Sequence, residues 1–173
     1  MGDGARALIE RALPCEAKSE ETITACLQTY LTRYKRNRNQ HTRRYEGTEE
    51  LLDALADMDI SLAILSNKPH DFTQSCVETF LNRWHFDPIL GQKAGIPKKP
   101  DPTGARRIMR RFRLAAEHVV YVGDSGVDMK TAVNAGIYPV GSVWGFRSAE
   151  ELSEAGARTL IHAPPDLLRL LHP

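Results

Sequence analysis

The chain has 173 residues, 42% of them hydrophobic and 26% charged, a globular composition with length enough for one domain and its core. Lys and Arg number 23 against 22 Asp and Glu, a formal charge of +1, which argues against a protein whose main task is coating nucleic acid or an acidic membrane. No run approaches the roughly 18 apolar residues that span a bilayer, and Met1-Gly2-Asp3-Gly4 opens no secretory segment, so a cytoplasmic location is expected.

Residues 4–13 place Ala5, Leu8, Ile9, Ala12 and Leu13 on one helical stripe that Pro14 ends. Ser19 begins a second helix carrying Ile23, Cys26, Leu27, Tyr30, Leu31 and Tyr34 at helical spacing. The texture changes near residue 45. An amphipathic helix over 49–58 is followed by the apolar run 61–65, the pattern of a strand buried on both faces. Helix 70–81, a strand near Ile89 and Leu90, helix 103–113, strand 119–123, helix 127–135 capped by Gly136, and strand 137–141 then alternate. A helix over 149–154, a strand over 159–161 and a last helix from Asp166 finish the chain. This order predicts an α/β fold with a parallel, doubly wound sheet, in which ligands sit beyond the carboxyl ends of strands. Cys15, Cys26 and Cys76 fall at no zinc or redox spacing and read as packed thiols.

Three segments carry polar residues at the expected ends. Ser66-Asn67-Lys68 offers a hydroxyl and backbone amides to a phosphoryl oxygen, although it is also ordinary turn chemistry. In Lys98-Lys99-Pro100-Asp101-Pro102 the prolines stiffen a loop that holds a lysine as a point charge, or that is simply solvated. Asp124 and Asp128, in Tyr121-Val-Gly-Asp-Ser-Gly-Val-Asp128, make a hard-oxygen pair suited to Mg²⁺, with helix capping by Asp124 or Ser125 as the plainer role. No phosphate-binding P-loop and no dinucleotide fingerprint is present.

In order and separation these segments resemble the haloacid dehalogenase-like (HAD) phosphatases, especially the bacterial phosphoglycolate phosphatases, over essentially the whole chain. The resemblance implies a Rossmannoid three-layer α/β/α core over residues 46–173 and a partial helical C1-type cap over 1–45. It implies Ser66 and Asn67 as phosphate-binding residues and Lys99 as the lysine that steadies nucleophile and phosphate charge. It gives Asp124 and Asp128 to a Mg²⁺ site, Asp128 by supporting either that site or Lys99. Arg6, in a segment similar to the phosphoglycolate branch, is a candidate for the carboxylate of a small phosphorylated acid such as 2-phosphoglycolate. Family chemistry also needs a DxDG[TS] segment on a central strand between those ending at Leu65 and Gly123, and no such segment occurs in the sequence. The expectation is therefore a truncated phosphatase, inactive and weakly stable alone. The alternative is a non-catalytic remnant that binds phosphate or a strand-donating partner, with homo-oligomers possible through the exposed edges.

The basic stretch from Arg33 to Tyr45 reads as a solvated helix end and hinge rather than a nucleic-acid site. Arg44 and Glu46 stand where relatives carry prolines, which implies a looser hinge. Trp84, Phe86, Trp144 and Phe146 read as packing or loop anchors.

Overall fold

The computed structural model describes residues 4–37 and 40–171; residues 2 and 3 of the glycine-rich start and Arg38 of the basic stretch lie outside them. Helix α1 (Ala5–Ala12) packs on α2 (Glu20–Asn37). Then come α3 (Thr48–Asp57), β1 (Leu62–Pro69), α4 (His70–Phe80), β2 (Phe86–Gln92) and α5 (Thr103–Phe112). The chain continues through β3 (Val120–Gly123), α6 (Gly126–Ala135), β4 (Tyr138–Ser142), α7 (Ala149–Glu154) and β5 (Thr159–Ile161) to a 3-10 helix at Pro164–Leu170. All strand pairs are parallel, as the alternation of helices and strands predicts. No helix among the described residues is long and apolar enough to cross a membrane.

Several element bounds differ from the sequence reading, and two of the differences have an evident cause. β1 continues through Ser66-Asn67-Lys68 to Pro69 instead of ending at Leu65. Its ladder to β2 reaches Pro69 opposite Gln92, and the Thr73 hydroxyl donates to the carbonyls of Lys68 and Pro69. Tertiary pairing here overrides residues of low strand preference. The last helix is 3-10 and begins at Pro164, two residues before Asp166, whose carboxylate accepts the amides of His162 and Ala163.

The strands fall into two sheets. β1 pairs with β2, and β3, β4 and β5 form a second sheet in that order, with no ladder between β1 and β3 among the described residues. A cavity of about 280 Å³ separates them, walled by Ala63, Ile64 and Leu65 on one side and Val120 and Val122 on the other, with Ile108 of α5 beneath. Val120 and Val122 are 37% and 39% exposed, whereas Val140 on the interior strand β4 is 0% exposed. The facing edges of β1 and β3 are therefore the open edges of the fold.

Three apolar clusters hold the layers together, and the first spans both sheets. Ala105 of α5 and Ala132 and Ala135 of α6 pack with Ile137, Leu65 and Tyr121, their small side chains letting the two helices approach closely. Leu52, Leu55 and Trp84 pack against Leu62 and Phe86 under the first sheet, and the Trp84 indole donates to Asp53 at 2.8 Å. Val140, Ile161 and Leu167 close the second, with Trp144 against them. Three of the four aromatics anchor packing as expected, but Phe146 is 80% exposed. The connection to α3 is also tied down: Arg44 donates to the Phe80 carbonyl at 2.7 Å and pairs with Glu49.

Candidate active site

The carboxyl ends of β1 and β3 face one cavity of about 390 Å³, roofed by α1 and α2. Ser66, Asn67, Lys99, Asp124 and Asp128 all line it, so the three polar segments of the sequence converge in space. Ser66 sits in β1, and the amide of Lys68 donates to its hydroxyl at 3.1 Å. Asn67, only 8% exposed, clamps the next segment: its Nδ2 donates to the Lys99 carbonyl at 3.1 Å and its Oδ1 accepts the Lys99 amide at 2.9 Å. That geometry spends the Asn67 amide on holding the lysine loop in place.

The held lysine points inward. Lys99 Nζ donates to the Leu65 carbonyl at 3.1 Å and to Asp128 Oδ1 at 2.5 Å, in a pair whose side chains are 12% and 8% exposed. Ser125 caps α6 and donates its hydroxyl to Asp128 Oδ2 at 2.5 Å, and the Tyr121 hydroxyl approaches Oδ1 at 3.4 Å. Lys99, Ser125 and Tyr121 thus all bond the Asp128 carboxylate, an arrangement compatible with the expected support of Lys99. Burial first, then the Asp128 charge and hydrogen bond, push the Tyr121 phenol far above its ordinary range. A Cβ on Gly123 would lie 2.3 Å from Asp128 Cβ, so only glycine lets β3 pass the carboxylate so closely.

Asp124 differs from Asp128. Its carboxylate accepts no hydrogen bond from a described residue, lines the cavity and lies under Gly145, where a Cβ would come 2.5 Å from Asp124 Cβ. Arg6 departs from expectation. Ala5 and Leu8 of the same helix line the cavity, but Arg6 does not; its guanidinium pairs with Glu10 and Glu20, each at 2.7 Å. One step along a helix turns a side chain about 100°, which carries Arg6 out of the cavity lining.

Comparison with known proteins agrees with this geometry. The model of the haloacid dehalogenase-like hydrolases matches residues 1–141. The chain belongs to that family. It is 31% identical over 161 residues to the phosphoglycolate phosphatase of Colwellia psychrerythraea, an alignment covering 90% of this chain and 71% of that protein. With the phosphoglycolate phosphatase of Vibrio parahaemolyticus the identity is 27%, over 99% of this chain and 77% of the other. The fold is shared with a predicted phosphoglycolate phosphatase of Haemophilus somnus at a TM-score of 0.90 and 24% identity, covering 99% of this chain and 79% of that one.

Members of this hydrolase family that hydrolyse phosphate esters use a divalent cation, and the residues present fit one in part. Asp124 is a free carboxylate on a phosphate-sized cavity, and Mg²⁺ characteristically takes one or two carboxylates with phosphate oxygens and water. No group of three or more His, Cys, Asp or Glu side chains suited to a metal occurs among the described residues. Several cavity residues had no site role in the sequence reading, among them Lys68, Tyr34, Phe146 and Arg147. Lys68 stands in the Ser66-Asn67-Lys68 segment itself, but the register of β1 on β2 shifts between Leu65 and Pro69, so no regular alternation marks its direction. Arg147 and Phe146 come from a loop with no periodic signal.

Proposed function

We propose that the chain carries the phosphate-binding half of a Mg²⁺-dependent phosphomonoesterase acting on a small phosphorylated acid such as 2-phosphoglycolate, in the cytoplasm. Residues 1–45 serve as a partial helical cap over a core formed by 46–173. The observation that carries this reading is the buried Lys99–Asp128 pair beside Ser66, at the ends of two strands that open on one cavity.

The Ser66 hydroxyl and the backbone amide of Asn67 hold phosphoryl oxygens, while Lys99 faces the charge that spreads over them during transfer. Asp128 aims the Lys99 ammonium, and Asn67 fixes the backbone that carries it. Asp124 holds Mg²⁺, which when bound neutralises phosphoryl charge. The nucleophilic carboxylate and the acid/base are not supplied by a DxDG[TS] segment of this sequence. The chain by itself therefore binds phosphate without turning it over, and hydrolysis requires a strand seated between β1 and β3. The open edges and the 280 Å³ cavity between them favour a second reading, a non-catalytic protein that binds phosphate or a strand-donating partner.

The deciding assay measures Mg²⁺-dependent release of phosphate from 2-phosphoglycolate by this chain and by the chain extended at its N-terminus with a strand ending in DxDGT. Turnover only in the extended protein supports the hydrolase reading. Full turnover by the 173-residue chain, abolished in Lys99→Ala, refutes the missing nucleophile. No turnover in either protein, with phosphate bound by both, favours the second reading.

A further inference from the structure

Lys68 belongs to no role described so far, yet its side chain is built into the cavity wall. Ser66 and Lys68 lie two residues apart on β1, both line the cavity, and the Lys68 amide donates to the Ser66 hydroxyl at 3.1 Å. The Lys68 ammonium lies 5.6 Å from the ring centroid of Tyr34 in α2 and 3.5 Å from Cys76 Sγ in α4. The other two cations of the cavity lining have partners, Lys99 in Asp128 and Arg147 in Glu151 at 3.4 Å, and Arg6 outside it pairs with Glu10 and Glu20. No carboxylate lies within ion-pair distance of Lys68 among the described residues. Burial lowers the Lys68 pKa and the Tyr34 hydroxyl and Cys76 thiol raise it by more, leaving it charged. A half-buried ammonium without a counter-ion, on the wall of an open cavity, is completed by an anion from the ligand.

The remaining walls limit what that ligand is. Leu8, Leu31, Phe72 and Val127 also line the cavity, an apolar share of wall that disfavours a ligand rich in sugar hydroxyls. We propose that Lys68, beneath Tyr34, is the specificity residue of this cavity and that it reads a carboxylate on a compact phosphate ester whose phosphoryl group sits at Ser66. This inference rests on the phosphate-binding reading above and gives Lys68 the carboxylate once expected of Arg6.

Titration calorimetry of the full chain with Mg²⁺ tests it, using inorganic phosphate, 2-phosphoglycolate and the uncharged analogue 2-hydroxyethyl phosphate. The expected result is at least about tenfold tighter binding of 2-phosphoglycolate than of the analogue, about 1.4 kcal/mol. Lys68→Met keeps the unbranched stem under Tyr34; it is expected to abolish that preference while inorganic phosphate still binds as before. Lys68→Arg is expected to keep the preference. If phosphate binds but the wild-type chain does not discriminate between the two esters, the assignment of Lys68 is overturned and the phosphate site stands. A preference that survives in Lys68→Met has the same consequence. If neither ester nor inorganic phosphate binds, the phosphate reading falls and takes this inference with it.

Discussion

The Lys99–Asp128 pair gives the sharpest quantitative test. Its side chains are 12% and 8% exposed, and each has further partners: the Leu65 carbonyl for Lys99, Ser125 and Tyr121 for Asp128. Asp128→Asn preserves shape but leaves a buried ammonium without its counter-charge. Breaking a buried pair from one side costs about 3–5 kcal/mol, a large part of the roughly 5–15 kcal/mol that holds a domain together. At about 2 kcal/mol per molar urea, the unfolding midpoint should fall by roughly 1.5–2.5 M. Lys99→Met leaves the opposite orphan and should cost a similar amount. Removing both partners removes both orphans, so Lys99→Met/Asp128→Asn should be at least about 2 kcal/mol more stable than the two single costs predict. Urea unfolding followed by the fluorescence of buried Trp84 reads all four proteins. If a single variant is already unfolded without urea, a restored transition in the double variant reports the same coupling. Costs that add to within about 0.5 kcal/mol would refute the pair as an interdependent buried unit.

Tyr121 holds its proton more tightly in the folded protein than in the unfolded chain, so its contribution is present below the ordinary tyrosine value near pH 10 and is lost as pH rises beyond it. Tyr121→Phe should flatten that alkaline loss of stability in pH-dependent urea melts, and an unchanged slope would contradict its origin at Tyr121. Arg6→Ala should leave the calorimetric affinity for 2-phosphoglycolate unchanged, because its guanidinium is engaged by Glu10 and Glu20; a marked loss would return Arg6 to the cavity. Gly145→Ala drives a methyl to 2.7 Å from Asp124 Oδ2 and should weaken Mg²⁺-dependent phosphate binding while sparing phosphate binding without Mg²⁺. The open edge of β3 should make the chain associate with rising concentration in sedimentation velocity, and Val122→Lys should suppress this; a wild-type monomer at all concentrations would argue against edge association.

How much of this was legible in the sequence varied with how local the cause was. The bounds of α7 and β5 coincide with the sequence reading, because Ser148 caps the helix by accepting the amide of Glu151 and a short apolar run makes the strand. The three polar segments could be matched to one another by order and spacing, and they do meet at one cavity. The extension of β1 through Ser66-Asn67-Lys68-Pro69 was hidden, since its support comes from β2 and from the Thr73 hydroxyl rather than from its own residue preferences. The position of Arg6 outside the cavity lining was hidden because its partner Glu20 lies on another helix. The clamp by which the Asn67 side chain holds the backbone of Lys99 was hidden too, because it spans 32 residues.

The long-range contacts also explain how a site can be assembled across two sheets that share no ladder. On the β1 side, the Leu65 carbonyl and the Asn67 amide both hold Lys99; on the β3 side, Asp128 holds its Nζ. Lys99 therefore ties one half of the fold to the other at the carboxyl ends of the strands, where the chemistry lies. Below that tie the packing of α5 and α6, through Ala105, Ala132 and Ala135 with Leu65 and Tyr121, brackets the cavity between the sheets from one face. Neither support uses backbone pairing between β1 and β3. The residues proposed to bind phosphate are accordingly set in place while the edges between them stay open, and a strand entering that gap would meet an already aligned Lys99 at its end.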